Sequence, residues 1–299
     1  MGRSVTKPNG GAPMPFFVRN QSGAHRTGLS SFGESGTAKG IGQAATDGTL
    51  GGSSSAGRGP TRWHENRVLA GLPEAELTSL ARHFHVVSLP PGTALQQQPL
   101  PLDQVYFPHQ GVVSLLAVTP NGETIEVASA GRGGAAGPIL PSDRRDGFLT
   151  AVAHGPLRAS RIASARLQAL LAENEALERA MEACREALVV QMQQNLVCAG
   201  LHSVEHRLAR WLLETADRME TDTIATTQEH VAQRLGVRRT TVTLLASKLQ
   251  DSGAINCARS RVDILDRRRL EAATCSCYTV LRAHTSKLLS HEPPSAPTL

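Results

Sequence analysis

The chain has 299 residues, 40% hydrophobic and only 3% aromatic, and its formal net charge is +5 at pH 7. This length leaves room for about two ordinary domains of about 150 residues each. The sequence contains neither a run of about 18 apolar residues nor the apolar core of a secretory signal. These features exclude a transmembrane helix and favour a cytoplasmic protein, while the positive charge suits a polyanionic partner.

The N-terminal segment, residues 1–62, is rich in Gly, Ser, Thr and Ala, and it carries seven Lys or Arg against two acidic residues. Such a composition cannot bury enough apolar surface to offset the entropy of ordering. We predict a disordered basic extension. It either adds nonspecific affinity for DNA or has no role of its own.

Residues 63–164 change to short elements separated by Gly and Pro. Order is expected to begin near Trp63, and the spacing of Leu77, Leu80 and Ala81 predicts a helix over residues 74–81. Asn121-Gly122 between two apolar runs predicts a β-hairpin. Several short strands punctuated in this way are typical of an antiparallel β-roll. The predicted strands are residues 86–89, 105–107, 112–118, 124–128 and 148–152.

A long helix is predicted over residues 165–202, because apolar residues recur there in steps of four and three. Such spacing forms a seam suited to a partner helix in a homodimer, although a helix packed on its own domain would show the same spacing. The candidate dimerisation residues are Leu177, Met181, Cys184, Leu188 and Asn195.

Residues 203–284 follow the pattern of a DNA-binding domain. An amphipathic helix over residues 203–219 is followed by Thr226 and Glu229, which are spaced as a capping box for a short helix. Gly236 ends that helix, and a second helix is predicted over residues 239–252. Two short helices joined by a Gly-containing turn are typical of a helix-turn-helix, whose second helix enters the major groove.

A β-wing is predicted after the second helix, with a basic turn at Arg259–Arg261 between two strands. Residues 234–269 hold nine Lys or Arg and three Asp, a local charge of +6. Phosphate contacts from such a patch would dominate the affinity for DNA. The candidate DNA-binding residues are Thr227, Gln228, Arg238, Arg239, Thr240, Thr241, Thr243, Lys248, Arg259 and Arg261.

These motifs resemble the Crp/Fnr superfamily of bacterial transcription regulators. The matching segments are Pro91-Gly92-Thr93-Ala94-Leu95, Val105-Tyr106-Phe107-Pro108, Gly111-Val112-Val113-Ser114, His202-Ser203-Val204-Glu205-His206-Arg207-Leu208 and Leu235-Gly236-Val237-Arg238-Arg239.

The resemblance implies an α+β fold with three parts: an N-terminal antiparallel, jelly-roll-like β-roll sensor, a long dimerisation helix and a C-terminal winged helix-turn-helix. It also implies a homodimer on a pseudo-palindromic operator, with half-sites about 34–36 Å apart. The expected partners are double-stranded DNA, a second copy of the chain and RNA polymerase, and residues 285–299 are expected to form a disordered tail.

The sequence departs from the superfamily at the sensor. The stretch Gly131–Gly137 and the residues after it have no counterpart of the ribose-binding Glu or the phosphate-binding Arg, since Arg144 and Arg145 fall in a predicted loop. We therefore expect no cyclic-nucleotide binding, and the effector is unknown. No cysteine precedes Cys184, which excludes the N-terminal iron–sulfur cluster of the Fnr branch. Thr240 and Leu244 stand where well-known members have a Glu and an Arg, so the operator sequence of those members cannot be transferred to this chain.

The five cysteines are odd in number, which argues against a disulfide framework. Cys275-Ser276-Cys277 could bind a metal or respond to oxidants, but one such pair lacks the four ligands of a structural zinc site. We expect packed thiols, no metal and no cofactor. The scattered histidines are expected to be structural or exposed: His83, His85, His109, His202 and His206.

Neither a catalytic triad, a phosphate loop nor a carboxylate pair is found, so an enzyme is not expected. The alternative to a DNA-binding regulator is a ligand or thiol-redox sensor that acts mainly through protein contacts.

Overall fold

The computed structural model describes residues 65–96, 103–137 and 149–289, all within a compact unit that spans Gly57–Leu299. The predicted extension over residues 1–62 and the predicted ordering at Trp63 lie outside the described residues. The tail predicted from residue 285 is wrong in its first part, because a helix continues to Leu289.

An antiparallel sheet of five strands forms the N-terminal part, and it confirms the predicted α+β class with a β-roll. The strand order is β1-β5-β3-β4, with β2 paired to β5 beside this path. Each strand pair in the sheet is antiparallel. The strands are β1 (His85–Leu89), β2 (Ala94–Gln96), β3 (Gln104–Val118), β4 (Thr124–Ala130) and β5 (Thr150–Ala163).

Strand β3 is one continuous element where the sequence predicted two. Its pairing register with β5 shifts between Pro108 and Val112, so the strand bends without ending. Gly111 allows the bend, because its φ of 82° and a Cβ position only 2.3 Å from the Pro156 carbonyl oxygen exclude other residues. Because Pro and Gly normally interrupt strands, Pro108 and Gly111 predicted two separate strands here.

Strand β5 is also longer than predicted, since residues 153–163 were not assigned to a strand. It pairs with three neighbours, β1, β2 and β3, and therefore lies inside the sheet. Its polar residues concealed it: His154 and Ser160 are buried although neither belongs to a typical apolar run. Phe148, where the sequence predicted a strand to begin, lies outside the described residues.

The predicted hairpin at Asn121-Gly122 is present between β3 and β4, but its turn differs from the one expected. Only Gly122 has a positive φ, of 82°. Thr119 and Glu123 close the loop through the Thr119 N–H and the Glu123 carbonyl, 2.9 Å apart. This longer loop needs one left-handed residue instead of two.

Four helices cover one side of the roll. Phe84 contacts Phe107 of β3 edge-on, with ring centroids 5.5 Å apart, and buried Leu69, Leu167 and Leu177 join the same core. The helices are α1 (Arg67–Ala70), α2 (Glu74–Ala81), α3 (Ser164–Glu173) and α4 (Glu175–Leu201).

The predicted long helix is divided into α3 and α4 at Asn174. This residue is extended (φ −133°, ψ 99°), and its side chain accepts a hydrogen bond from the Leu177 N–H, so it caps α4. Leu177, Met181 and Cys184 lie in the core beneath the roll, each at most 2% exposed. These three residues therefore face their own chain, which corrects the predicted dimer seam. The spacing of apolar residues cannot distinguish the two kinds of packing.

The other two candidate dimerisation residues also contact the same chain. Leu188 is half-buried and packs against the roll core. Asn195 donates a hydrogen bond to the Val127 carbonyl at 2.8 Å and accepts one from Arg210. The C-terminal half of α4 is thus fixed to the roll by polar contacts.

A second domain follows α4, and in it a three-stranded sheet of order β6-β8-β7 packs against helices. Its core is aliphatic, with Leu212, Ile224, Ile255 and Leu270 almost fully buried. Strand β6 was not predicted from the sequence. The elements are α5 (Val204–Met219), β6 (Thr223–Ala225), α6 (Gln228–Leu235), α7 (Arg239–Asp251), β7 (Ile255–Ala258), β8 (Arg261–Ile264), α8 (Arg267–Ala272) and α9 (Cys277–Leu289).

Within the described ranges, none of the helices is both long enough and apolar enough to span a membrane.

Candidate nucleic-acid interface

Helix α6 begins one residue later than the sequence predicted. The side chain of Thr227 accepts a hydrogen bond from the His230 N–H at 3.2 Å, which makes Thr227 the N-cap. Thr226 is instead 4% exposed and belongs to the interior. The predicted capping box between Thr226 and Glu229 is therefore wrong.

The turn between α6 and α7 depends on Gly236, as predicted. Its φ of 63° is left-handed, and its N–H binds the carbonyls of the last turn of α6. A Cβ added there would also lie 3.2 Å from the Ile125 side chain of the roll. Gly236 thus allows both the tight turn and the close approach of the roll.

Helices α6 and α7 cross over a small apolar core and are fixed by one polar contact at the surface. Ala232, Val242 and Leu245 are buried between them. The Thr243 hydroxyl donates a hydrogen bond to Gln228 Oε1 at 2.7 Å. Burial of the apolar side of α7 leaves its opposite side, with most of the predicted contact residues, in solvent.

The exposed side of α7 begins before its first turn. Arg238 is the N-cap residue but forms no capping bond with its side chain, and Arg239 and Thr240 follow it in solvent. Thr241 is half-buried, which makes it the least accessible of the predicted contact residues on this helix. Free N–H groups at a helix N-terminus attract anions, so this end of α7 suits a phosphate backbone.

Leu244 is 62% exposed on the same helix, a large apolar side chain in water. It is not among the contact residues predicted from the sequence. The sequence does indicate this exposure, because Leu244 falls outside the apolar spacing of the buried residues Val242, Leu245 and Leu249.

The basic residues of this region divide into two sets. Five form ion pairs with acidic groups, so the local charge of +6 overstates the free positive charge. The net charge of residues 234–269 does not include Glu126, Glu205 and Asp217, which lie outside this segment and pair with three of its basic residues. The paired residues are Arg234, Lys248, Arg261, Arg267 and Arg269. Among residues the structure describes, the other four form no ion pair: Arg238, Arg239, Arg259 and Arg268.

The predicted wing is present as the hairpin of β7 and β8. Its turn exposes Arg259 and Ser260, and Arg261 begins the second strand. Arg261 pairs with Asp263 at 3.0 Å but remains 55% exposed. An exposed pair of this kind contributes little, so a phosphate can compete for Arg261.

The sequence model of the Crp-like helix-turn-helix domain matches residues 206–273. This match covers α6, the Gly236 turn, α7 and the wing. The chain therefore carries a Crp-like helix-turn-helix domain, which is the DNA-binding domain of the Crp/Fnr family. No curated protein matches the sequence.

Solved structures share the Crp/Fnr fold with the chain. FixK2 from Bradyrhizobium japonicum aligns with a TM-score of 0.56 at 18% identity, over 64% of this chain and 98% of its own. The c-di-GMP responsive global regulator CLP of Xanthomonas campestris aligns with a TM-score of 0.55 at 16% identity, over 64% and 99%. The transcriptional regulator TTHA1359 from Thermus thermophilus aligns with a TM-score of 0.53 at 19% identity, over 63% and 97%.

A buried carboxylate joins the roll to the Crp-like domain. Glu126 of β4 accepts a hydrogen bond from Trp211 Nε1 at 3.2 Å, and its other oxygen lies 3.3 Å from Arg234 Nη1. The side chains of Glu126 and Arg234 are only 10% and 9% exposed. Burial lowers the pKa of Arg234, and Glu126 opposes that shift. The first helix of the motif is thereby connected to the sensor.

The structure describes only some of the roll residues at which the sequence departs from the superfamily. Ala135 and Ala136 are buried, and Ala136 bridges to Tyr106 through backbone hydrogen bonds. Arg132 does not point into the roll, because it pairs with Glu220 and donates to the Glu65 carbonyl. Arg144 and Arg145 lie outside the described residues.

Proposed function

We propose that this Crp/Fnr regulator binds a pseudo-palindromic operator as a homodimer, with the N-terminal face of α7 in the major groove. The observation that carries the proposal is the exposure of Arg238 and Arg239 at the start of α7 and of Arg259 in the wing, none of which forms an ion pair with a residue that the structure describes. Guanidinium groups bind guanine edges and phosphates in two-pronged geometry.

Each predicted contact residue has a role in this arrangement. Arg239, Thr240 and Thr243 would contact bases, and the exposed Leu244 would contact a thymine methyl group. Phosphate contacts would come from the wing, the start of α6 and the edges of α7, and these contacts position the domain without selecting sequence. The residues assigned to them are Thr227, Gln228, Arg238, Thr241, Lys248, Arg259 and Arg261.

The homodimer is supported by an apolar stripe on α4 that differs from the predicted seam. The stripe lies on the C-terminal half of α4 and consists of Val189, Leu196, Val197 and Leu201, which are 43–78% exposed. These side chains occupy one side of the helix, and large apolar groups grouped in this way mark interaction surfaces. We assign this stripe to the second copy of the chain, and two chains per operator follow from it.

The sensor is proposed not to respond to cyclic nucleotides. The described part of the Gly131–Gly137 stretch presents no free guanidinium group, since Arg132 pairs with Glu220. A cyclic phosphate buried without a cation would be costly. RNA polymerase as a further partner and the cytoplasm as the location are inferred from the family, and the effector is left open.

Replacing Arg239 by Ala is expected to weaken binding to the preferred duplex by about 1–3 kcal/mol and to relax base preference at one position in each half-site. The measurement is the affinity for a duplex selected from a random-sequence library. Arg239→Lys separates the roles, because Lys replaces Arg at a phosphate but not at a two-pronged guanine contact.

The matched control is Arg179→Ala, which removes an exposed arginine from α4 outside the Crp-like domain. It should leave the affinity unchanged. If Arg239→Ala bound the selected duplex as tightly as the parent chain, Arg239 would not belong to the recognition surface.

A further inference from the structure

Four metal-ligating side chains converge where α4 ends. Cys198 and its neighbour one helical turn on, the C-cap residue His202, come from the end of α4. Cys275 lies in the turn before α9, and Cys277 is the first residue of α9. Their ligand atoms all lie within 4.8 Å of one another. The three cysteines are at most 8% exposed. Of these four residues, only the Cys-x-Cys pair could be recognised as a ligand set from the sequence, because the other two come from a distant segment.

Three of the six distances between ligand atoms of this Cys198–His202–Cys275–Cys277 cluster are close to those of a tetrahedral centre, and all six are within 4.8 Å. Bonds of about 2.3 Å to sulfur and about 2.0–2.1 Å to nitrogen in a tetrahedron separate two sulfurs by about 3.8 Å and a sulfur from a nitrogen by about 3.6 Å. Cys198 Sγ lies 3.6 Å from Cys275 Sγ, and His202 Nδ1 lies 3.4 Å from Cys198 Sγ and 3.5 Å from Cys277 Sγ.

We propose that Cys198, His202, Cys275 and Cys277 bind one zinc ion, and that this ion joins the end of α4 to the start of α9. Three thiolates and one imidazole form a closed ligand set of the kind found in structural zinc sites, with no open position for catalysis. Soft thiolate ligands also disfavour Mg²⁺ and Ca²⁺.

The surroundings of the cluster support a bound cation. Gln194 donates a hydrogen bond to Cys277 Sγ at 2.8 Å, a contact that orients a ligand in the way outer-shell groups do. Zinc with three thiolates carries one net negative charge, and the positive charges of Arg207 and Arg210 lie near Cys198 to offset it.

The backbone around the Cys-x-Cys turn is also held in place. Thr274 donates to the His206 carbonyl at 3.4 Å, and the Tyr278 hydroxyl donates to Asp217 at 2.8 Å. Both partners belong to α5. The ligands are therefore positioned by hydrogen bonds that do not depend on the ion.

The site has a structural consequence because of where it lies. His202 is the last cap residue of α4, and Ser203 caps α5, so the path from the roll to the Crp-like domain passes through this point. A zinc ion bound by the end of α4 and the start of α9 would fix the direction in which α5 leaves α4, because the start of α9 is hydrogen-bonded to α5. This inference concerns coupling between the domains and stands whether or not the chain binds the proposed operator.

The metal content of the purified, reduced full-length chain tests the proposal. We expect about one zinc ion per chain, or uptake of about one after chelator treatment and addition of Zn²⁺. Co²⁺ added to the chelator-treated chain should give the visible absorption bands of a tetrahedral, thiolate-bound ion. Absence of both zinc and the Co²⁺ spectrum overturns the proposal.

Variants locate the site. Cys275→Ser and His202→Gln should each lose the stoichiometric metal, while Cys257→Ser, a wing cysteine outside the cluster, should retain it. Gln194→Ala should keep the stoichiometry but weaken the affinity about 10- to 100-fold, as removal of an outer-shell partner does. Equal loss of metal in Cys257→Ser overturns the assignment.

A Cys198–Cys275 disulfide is the competing state of the same atoms. Mass spectrometry without reductant would detect it. A disulfide in the isolated chain, with no Zn²⁺ or Co²⁺ uptake after reduction, overturns the proposal in favour of a thiol pair. Metal uptake by the reduced chain supports the zinc site.

Discussion

Glu126→Ala is expected to destabilise the chain by about 3–5 kcal/mol, the usual cost of leaving one partner of a buried ion pair alone. The substitution strands the Arg234 guanidinium in the interior and removes the acceptor of the Trp211 N–H. The free energy of unfolding from urea titration measures the loss. Because the pair joins the roll to α6, release of the Crp-like domain would appear as an earlier first transition.

Two variants test this interpretation. Glu126→Gln keeps an acceptor for Trp211 without the charge and should lose less than the Ala variant. Glu123→Ala removes an exposed carboxylate from the same hairpin and should change stability by about 0.5 kcal/mol or less. A loss below about 1 kcal/mol in Glu126→Ala would mean that the ion pair does not hold the domains together.

Acidification is expected to destabilise the chain through His154. This β5 side chain is buried, and its ring packs edge-on against Trp211 at 5.7 Å. Burial, with smaller contributions from Arg234 and His230, lowers the pKa of His154 from 6.5 to about 4. The unfolded chain therefore binds a proton near pH 6.5, and the folded chain only near pH 4.

The sign of the effect follows from proton linkage. The contribution of the neutral His154 ring to the free energy of unfolding is fully present above pH 6.5. It is lost as the pH falls from 6.5 towards 4, because in that range only the unfolded state gains the proton. At about 1.4 kcal/mol per unit, the loss is about 3 kcal/mol. Urea titrations between pH 7 and 4 measure it.

His154→Phe removes the titrating group and keeps a ring against Trp211, so its stability should vary less over the same window. The control His85→Phe replaces an exposed histidine of β1 and should keep the dependence of the parent chain. An equal fall in His154→Phe and the parent chain would exclude His154 as the source.

Local signals in the sequence were sufficient for most of the Crp-like domain. The Gly236 turn, both helices beside it and the wing depend on residues close together in the chain, where capping, left-handed glycine and apolar spacing act directly. The roll was predicted as a class, but strand β5 was largely missed, because buried His154 and Ser160 depend on neighbours in other strands.

The contacts that the sequence concealed are those between distant segments. Glu126 meets Arg234 across 108 positions, and Cys198 meets Cys275 across 77. Neither pair has a local pattern. The predicted dimer seam was wrong for a related reason. The same apolar spacing occurs in a helix that packs on its own chain and in one that packs on a partner helix, and only the fold shows that Leu177 and Met181 are buried within the chain.

We propose that the α7 face and the wing of two paired chains bind one duplex mainly through phosphates and base edges. The most direct test is the affinity and stoichiometry of the full-length chain on its selected duplex as salt is raised. We expect two chains per duplex and a loss of about 10³- to 10⁵-fold in affinity between about 50 and 200 mM salt. Salt-independent affinity, or full affinity with a single chain on the duplex, would contradict the account.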